Sequence, residues 1–224
     1  MAISLLERQL PHEKILIDLQ DKPEDFKALY ASACADPDMS AKVPIMTTDD
    51  GNTLIESMVI LEYLYSDTKY TAEEMATARL WATLVPTWLN WFSVLRTDPG
   101  SDAENEAMQK LHAGLRAMDA FLETKCKGDG PFVLGDTFSF AECATAPFAQ
   151  RLAAVLPGMR PSLDVSKYMA TEKLSHVSRW MTAVCERPSC VETLPPKEEL
   201  QESYERLMER MKAMAAGGGG PPGR

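Results

Sequence analysis

The 224-residue chain lacks several features that mark common classes of protein. No run approaches the ~18 apolar residues that a membrane-spanning helix needs, and the first residues lack the basic and apolar regions of a secretory signal peptide. Its five cysteines show neither a CxxC pair nor zinc-ligand spacing, so free thiols are expected. Its three histidines are scattered, without the spacing of a metal site or a catalytic triad. These absences favour a cytoplasmic protein without a metal.

Positive charge is also scarce. The chain has 23 lysines and arginines against 33 aspartates and glutamates, a net charge of -10. Nucleic acids and anionic membrane surfaces attract basic patches, so neither is an expected partner. Apolar residues make up 45% of the chain, which is enough for one core or two small ones.

The hydrophobic pattern changes along the chain. Up to about residue 66, short apolar runs alternate with turn signals, which predicts at least three strands, one of them over residues 14–19. From about residue 71 the spacing is helical, and no strand is expected beyond residue 75. Residues 215–224 contain four consecutive glycines and two prolines, which is typical of a disordered end.

One stretch of the first third predicts a strand, a hairpin turn, a second strand and a helix, over residues 43–46, 49–52, 53–55 and 58–65. Val43 lies beside Pro44, which leaves backbone N–H and C=O groups free to pair with an extended peptide. Glu56 and Ser57 fall at the strand-to-helix junction, where unpaired N–H groups favour an anion. The pattern suits a small γ-linked peptide with a free amino-acid head, whose ammonium Glu56 would take.

Each of these features also has an ordinary structural explanation. Val43-Pro44 is compatible with a simple turn, in which a cis bond is rare. Ser57 is a favoured residue for capping a helix. A cap that leaves N–H groups free also binds anions, so the two interpretations of the junction are compatible.

The order of these motifs resembles the glutathione site of the glutathione S-transferase superfamily: Lys42-Val43-Pro44, a hairpin, then Glu56-Ser57 opening a helix. Upstream, residues 10–19 and 21–26 are similar to the omega class and the related dehydroascorbate reductases. Downstream, residues 132–142 resemble the hallmark of the family's helical domain. The resemblance extends from about residue 1 to about residue 211.

The resemblance implies an α+β protein with an incomplete thioredoxin-like N-terminal domain over residues 1–66. An all-helical C-terminal domain follows over residues 71–214, with the linker near 66–71. Within the helical domain, Ser139 and Glu142 form a capping box, which in this family begins the central buried helix. Family members usually carry aspartate in place of Glu142, and the longer side chain is expected to reach the same cap.

The resemblance also implies a role for individual residues, with glutathione as the co-substrate. Val43 would pair its backbone with the cysteinyl unit, next to a cis bond at Pro44. Glu56 would take the γ-glutamyl ammonium and Ser57 the γ-glutamyl carboxylate. For the glycine carboxylate, the family pattern points to one of two lysines, Lys22 or Lys42.

A second-substrate pocket is implied on the helix that faces this site in the family. Its candidates are Trp88, Trp91, Phe92 and Arg96, with Trp180 as a further one. Aromatic residues at helical spacing more often belong to a core than to a pocket, so that alternative stays open.

No catalytic residue is identified. In this family the first strand ends in a loop that holds the catalytic serine, cysteine or tyrosine, whereas this chain begins inside the match to the first helix, where Ser4 is the only hydroxyl. Two explanations stay open: a shortened start of an ordinary enzyme, or a form that has lost the chemistry.

The resemblance implies a glutathione-dependent transferase or thiol-transferase of omega-like type, with redox and detoxification chemistry. Its substrate would be a small electrophile, a disulfide or dehydroascorbate, and it would form a homodimer. The alternative is a non-catalytic module of the same fold that binds glutathione or a protein. Membrane insertion, as in the related intracellular chloride channel proteins, gains little support from the composition. Glutathione binding with little turnover is expected.

Overall fold

In a computed structural model of the chain, residues 1–36, 38–126 and 128–216 are described. Two compact units are present, Met1–Thr71 and Ala72–Arg224. The first contains three helices and two strands: α1 (Ala2–Glu7), α2 (Glu24–Cys34), β1 (Ile45–Thr47), β2 (Thr53–Ile55) and α3 (Ser57–Leu64).

The two strands form an antiparallel hairpin in which Ile45 pairs with Ile55. The turn closes where the Thr48 N–H donates to the Asn52 carbonyl oxygen at 2.9 Å. Gly51 has φ +84°, which a glycine adopts without steric cost. The predicted hairpin is therefore confirmed, with β2 at the predicted residues and β1 displaced by one or two residues.

The core of the first unit forms where α2 covers one face of this hairpin. Phe26 and Tyr30, one helical turn apart on α2, are buried with Ala41, and partly buried apolar residues pack around them: Ile17, Cys34, Ile45 and Ile55. Pro23 is the N-cap of α2, and two acids lie in its first turn, where they favour the helix dipole. The helix ends at Cys34.

The prediction of a strand over residues 14–19 is wrong. The segment is neither helix nor strand, and its apolar side chains are exposed, Ile15 by 74% and Leu16 by 81%. A strand needs a neighbouring strand to satisfy its backbone, and the described residues supply none beside this segment. The expectation of at least three strands is wrong for the same reason, since the described residues hold two.

The described residues of the second unit form helices joined by loops. Its helices are α4 (Ala72–Trp88), α5 (Phe92–Leu95), α6 (Asp102–Lys125), α7 (Phe140–Met159), α8 (Val165–Thr171), α9 (Ser175–Glu186), α10 (Pro188–Thr193) and α11 (Lys197–Ala216). Beyond residue 75, extended pairing in the described chain is confined to two isolated bridges near residues 132–137, which confirms the expected absence of strands. None of the described helices is both long and apolar enough to cross a bilayer.

The helix α4 contains Pro86 and ends two residues later at Trp88. The C-terminal end of the helical unit differs in part from the expectation. The disordered end was expected from residue 215, yet α11 includes Ala215 and Ala216. Residues 217–224, the rest of that prediction, lie outside the described residues.

The start of α7 confirms the capping box. Glu142 is fully buried, and its Oε2 accepts hydrogen bonds from the Ser139 N–H at 3.0 Å and the Ser139 hydroxyl at 2.7 Å. Its Oε1 accepts a third from the Val133 N–H at 2.9 Å. The longer side chain of glutamate thus reaches the cap and also fastens the preceding loop to the helix.

Candidate functional site

The segment before β1 carries an unpaired peptide edge. The Val43–Pro44 peptide bond is cis, which confirms the prediction made from the sequence. The side chain of Val43 is 47% exposed. Within the described part of the chain, the Val43 N–H and C=O make no hydrogen bond. These two backbone groups can therefore pair with an extended peptide ligand.

The start of α3 leaves backbone donors without acceptors. The first intrahelical bond runs from the Ile60 N–H to the Glu56 carbonyl oxygen at 3.0 Å, so the three N–H groups before Ile60 have no helical acceptor. Neither Glu56 nor Ser57 caps these groups with its side chain, and both residues are exposed. Side-chain capping therefore does not explain why Glu56 and Ser57 occur at this helix start. The N–H groups stay open to an anion.

The hairpin brings the peptide edge and the helix start together. Because Ile45 pairs with Ile55 across the antiparallel strands, the residues just before β1 and just after β2 leave the hairpin at the same end. Val43 and Pro44 are the former, and Glu56 and Ser57 are the latter. Four of the residues predicted from the sequence thus share one end of the sheet.

Glu56 has an unusual backbone, which the sequence does not reveal. Its φ is +68° and its ψ is 118°, a conformation that costs a residue with a side chain of order 1–3 kcal/mol. Such strain is common where a ligand is held, because it directs a backbone or side-chain group that regular structure would hide.

Replacing Glu56 with glycine should raise the free energy of unfolding by about 1 kcal/mol, because glycine adopts positive φ without a steric penalty. Urea unfolding of Glu56→Gly and Glu56→Ala tests this expectation. The alanine variant is the matched control, since it removes the same carboxylate but keeps the strained backbone. A glycine variant no more stable than the alanine variant would contradict it.

The two lysine candidates differ in their contacts. The Lys22 ammonium donates to the Ala41 carbonyl oxygen at 2.8 Å, which places it beside the chain that leads into Val43. An ammonium has three donors, so two stay available for a carboxylate. Lys42 is exposed. Lys22 is thus held in place next to the peptide edge.

Tyr30 is a residue of this region that the sequence analysis missed. It is buried, and its hydroxyl has no hydrogen-bond partner within the described chain. Burial raises the pKa of its phenol, and the nearby carboxylate of Glu56 raises it further. The helical spacing from Phe26 identifies Tyr30 as a core residue, but no sequence signal places it near Glu56.

The second-substrate candidates make separate contacts within the helical unit. Trp91 is 3% exposed and packs with Phe92 against Tyr204, at ring distances of 5.3 and 6.0 Å. Trp88 instead contacts Trp81 and Phe121, at 6.3 and 5.9 Å. Trp180 is fully buried against Trp81, and Arg96 is exposed.

Trp88 also lines a groove of about 600 Å³ between the end of α4, α5 and α6. Its walls carry hydroxyl and amide groups and two opposite charges: Thr87, Asn90, Ser93, Thr97, Glu106 and Lys110. Of the four candidates in the predicted pocket, Trp88 is the one that borders this groove.

Ser4 is not placed to act as a nucleophile. It is fully buried in α1, and its hydroxyl donates to the Met1 carbonyl oxygen at 2.5 Å. All five cysteines are free, which confirms the expected thiol state. Burial, with a smaller contribution from Glu186, raises the pKa of the Cys185 thiol to about 11, so this thiol is protonated near neutral pH and is a poor nucleophile.

Two family models match the chain. Residues 2–67 match the glutathione S-transferase N-terminal domain, and residues 102–183 match the glutathione S-transferase C-terminal domain. The two matches together cover more than half of the chain.

Curated relatives agree with these matches. The probable glutathione S-transferase DHAR1, cytosolic, of Oryza sativa subsp. japonica is 26% identical over 89% of this chain and 84% of its own length. Glutathione S-transferase U4 of Arabidopsis thaliana is 29% identical over 77% of this chain and 75% of its own length.

Solved structures show the same fold. Glutathione transferase Omega 3C from Trametes versicolor superposes with a TM-score of 0.71 at 21% identity, covering 95% of this chain and 85% of that one. A rice transferase solved in complex with glutathione, GST1 (OsGSTU1), superposes with a TM-score of 0.71 at 22% identity, covering 93% and 90%. The predicted fold class is confirmed: a thioredoxin-like N-terminal domain followed by an all-helical one. The chain therefore belongs to the glutathione S-transferase superfamily and is similar to its omega-class and dehydroascorbate reductase members.

Proposed function

We propose that this chain binds glutathione and is an omega-like glutathione transferase whose chemistry includes thiol transfer and dehydroascorbate reduction. The observation that carries the proposal is the meeting of an unpaired peptide edge and an uncapped helix start at one end of the hairpin. The names of the DHAR relatives and of the omega-class structure support the finer assignment.

The charges of the site complement those of glutathione. The Val43 backbone would pair with the central cysteinyl unit, which is an extended peptide. The open N–H groups around Ser57 would bind the γ-glutamyl carboxylate, and the Glu56 carboxylate would bind the ammonium beside it. Lys22 or Lys42 would then meet the glycine carboxylate at the other end. The two carboxylates of glutathione would thus meet hydrogen-bond donors, and its ammonium would meet a carboxylate.

The reaction that follows depends on the glutathione thiolate, because the thiolate and not the thiol is the nucleophile. It would attack a small electrophile, a disulfide or dehydroascorbate. We place the protein in the cytoplasm, in line with the name of the cytosolic DHAR1 relative. We also expect a homodimer, which the resemblance to the superfamily implies.

A non-catalytic binding module of the same fold is the second candidate. The buried and hydrogen-bonded hydroxyl of Ser4 favours it, because this side chain is not free to stabilise a glutathione thiolate. The two candidates share the glutathione site and differ in turnover.

Calorimetric titration with glutathione tests the shared site. We expect weak binding by the wild-type chain and loss of detectable binding by Glu56→Ala, because the ammonium loses its charged partner. Asp50→Ala is the matched control: it removes a carboxylate from the exposed tip of the same hairpin and should bind glutathione as the wild-type chain does. Absence of binding by the folded wild-type chain would overturn the proposal.

Conjugation and dehydroascorbate assays, run on the same preparation, separate the two candidates. Losing a principal catalytic group commonly lowers a rate by several powers of ten, so the two candidates differ widely in the turnover they predict. Binding without turnover selects the non-catalytic module. Robust turnover selects the transferase and requires a catalytic group other than Ser4.

A further inference from the structure

The groove beside Trp88 lies wholly within the helical unit and has no part in the proposed glutathione site. Its volume is about 600 Å³, and small residues of α6 line it opposite the half-buried ring of Trp88. These small residues are Ala103, Ala107, Ala113 and Gly114. An aromatic ring facing small side chains leaves room for a flat apolar group.

Contacts within the helical unit fix both ends of the groove. At one end α4 packs backbone to backbone on α6, since a Cβ atom at Gly114 would lie 2.0 Å from the Trp88 carbonyl oxygen. At the other end the Arg160 guanidinium donates to the Thr97 carbonyl oxygen and to the buried Glu104 carboxylate, both at 2.9 Å. Walls that are fixed before a ligand arrives lose little conformational entropy when it binds.

Several polar side chains along the groove have no partner within the protein. Among the described residues, no hydrogen bond or ion pair engages the side chains of Thr87, Asn90, Glu106 and Lys110. Glu106 and Lys110 are exposed and lie one helical turn apart on α6. The groove thus offers one negative and one positive charge, and neither is neutralised by the chain itself.

Hydrogen-bond acceptors gather at the end of the groove near the start of α6. The hydroxyls of Ser93 and Thr97 each donate to a backbone carbonyl oxygen three residues earlier, at 2.7 Å. Each hydroxyl has therefore used its one donor and has only acceptor lone pairs left. Thr97 is followed within a few residues by α6, and Glu106 is the groove charge nearer to that helix start. This end suits an ammonium group.

Hydrogen-bond donors gather toward the opposite end. Lys110 lies one turn further along α6, closer to Gly114 and hence to the contact with Trp88. Thr87 and Asn90 flank Trp88 along the chain and add a hydroxyl and an amide NH₂ group. This end suits a carboxylate next to an aromatic ring.

We propose that the groove binds a free α-amino acid with an aromatic side chain. Its ammonium lies against Glu106, its carboxylate against Lys110, and its ring against Trp88 and the small residues of α6. Two charges one turn apart are separated by about 6 Å along the helix axis, and their flexible side chains can converge on one head group. The charges are exposed, so binding should be weak, with a Kd of about 1 mM.

Ligand-observed NMR titration of the full chain with three probes tests the charges one at a time. L-Phenylalanine carries both charges, phenethylamine carries only the ammonium, and 3-phenylpropionate carries only the carboxylate. We expect L-phenylalanine to bind most tightly and the other two probes to have a Kd about threefold to fivefold higher, because each lacks one charge pair.

Variants of α6 assign each charge to its partner. Glu106→Gln should raise the Kd of L-phenylalanine and phenethylamine about threefold to fivefold and leave that of 3-phenylpropionate unchanged. Lys110→Gln should raise the Kd of L-phenylalanine and 3-phenylpropionate and leave that of phenethylamine unchanged. Ala113→Leu narrows the groove from an exposed position and should weaken all three probes.

Glu123→Gln and Lys125→Gln are the matched controls. Both side chains are exposed on α6 and lie outside the groove, so these variants change the net charge equally and should leave every Kd unchanged. Glu56→Ala should also bind L-phenylalanine as the wild-type chain does. A failed glutathione titration is therefore distinguishable from a failure at this groove.

Four results would overturn the proposal. The first is no detectable binding of L-phenylalanine up to about 20 mM. The second is an equal Kd for all three probes, which would show that the charges are not recognised. The third is a loss of L-phenylalanine binding in Glu56→Ala or in the control variants, which would place the probe elsewhere. The fourth is a Kd that rises with protein concentration, which would show that a second copy covers the groove.

Discussion

Replacing Glu142 with glutamine should lower the free energy of unfolding by about 3 kcal/mol. The carboxylate accepts three hydrogen bonds inside the protein, from the Ser139 N–H, the Ser139 hydroxyl and the Val133 N–H. An amide presents an NH₂ group to at least one of these donors, and a buried donor without an acceptor costs about 1–3 kcal/mol. Because the three bonds form one network, losing one weakens the others. Urea unfolding measures the loss.

Glu202→Gln is the matched control, because Glu202 lies on α11 with 66% of its side chain exposed and forms a surface ion pair with Arg206. Such pairs contribute at most about 1 kcal/mol, so this variant should unfold within about 0.5 kcal/mol of the wild-type chain. A loss at Glu142 as small as the loss at Glu202 would contradict the structural role of the capping box.

The difference in stability between the wild-type chain and Glu142→Gln should also depend on pH. Burial raises the pKa of Glu142 above its ordinary value of 4.5, against the opposing effect of its three donors. Between the ordinary and the raised pKa the folded state holds more protons than the unfolded one, so this group's contribution to stability falls as the pH rises. The stability gap between wild type and Glu142→Gln should therefore be wider near pH 4.5 than near pH 8. A gap that widens with pH would contradict this sign.

Local signals explain most of what the sequence predicts correctly. The turn residues of the hairpin, the serine and glutamate of the capping box and the helical spacing after residue 71 each act over a few neighbouring residues. Each therefore determines its structure almost independently of the rest of the chain. The end of the sheet that carries Val43 and Ser57 is predictable because a two-stranded hairpin fixes which residues leave at the same end.

Features that depend on distant parts of the chain are not predictable from such local signals. The 14–18 segment has strand composition, but a strand also needs a neighbour, and composition does not supply one. The positive φ of Glu56 follows from how β2 meets α3. Glutamate is not a residue type that favours positive φ, so the sequence does not predict it. The separate contacts of Trp88 and Trp91 likewise depend on which helices surround them, although their spacing looks like one stripe.

Gly114 is another residue whose role depends on a distant part of the chain. Replacing it with alanine should lower the free energy of unfolding by at least about 3 kcal/mol. A Cβ atom at this position of α6 would overlap the backbone carbonyl of Trp88 at the end of α4. Backbone of a neighbouring helix does not rotate aside as a side chain does, so the helices must separate and their packing is lost. The same substitution in open space would stabilise a helix by up to about 1 kcal/mol, so steric overlap here reverses the expected sign.

Gly158→Ala supplies the comparison, because Gly158 is also inside a helix. A Cβ there would meet the side-chain amide of Gln201, which donates to the Ala154 carbonyl oxygen at 3.0 Å and is able to rotate away. Losing that hydrogen bond costs about 1 kcal/mol and the gain in helix propensity offsets most of it, so the net change should be small. Thermal and urea unfolding of both variants should therefore show a large loss at Gly114 and almost none at Gly158. Equal losses would mean that α4 and α6 are not in backbone contact at Trp88, and the position of that tryptophan beside the groove would have to be revised.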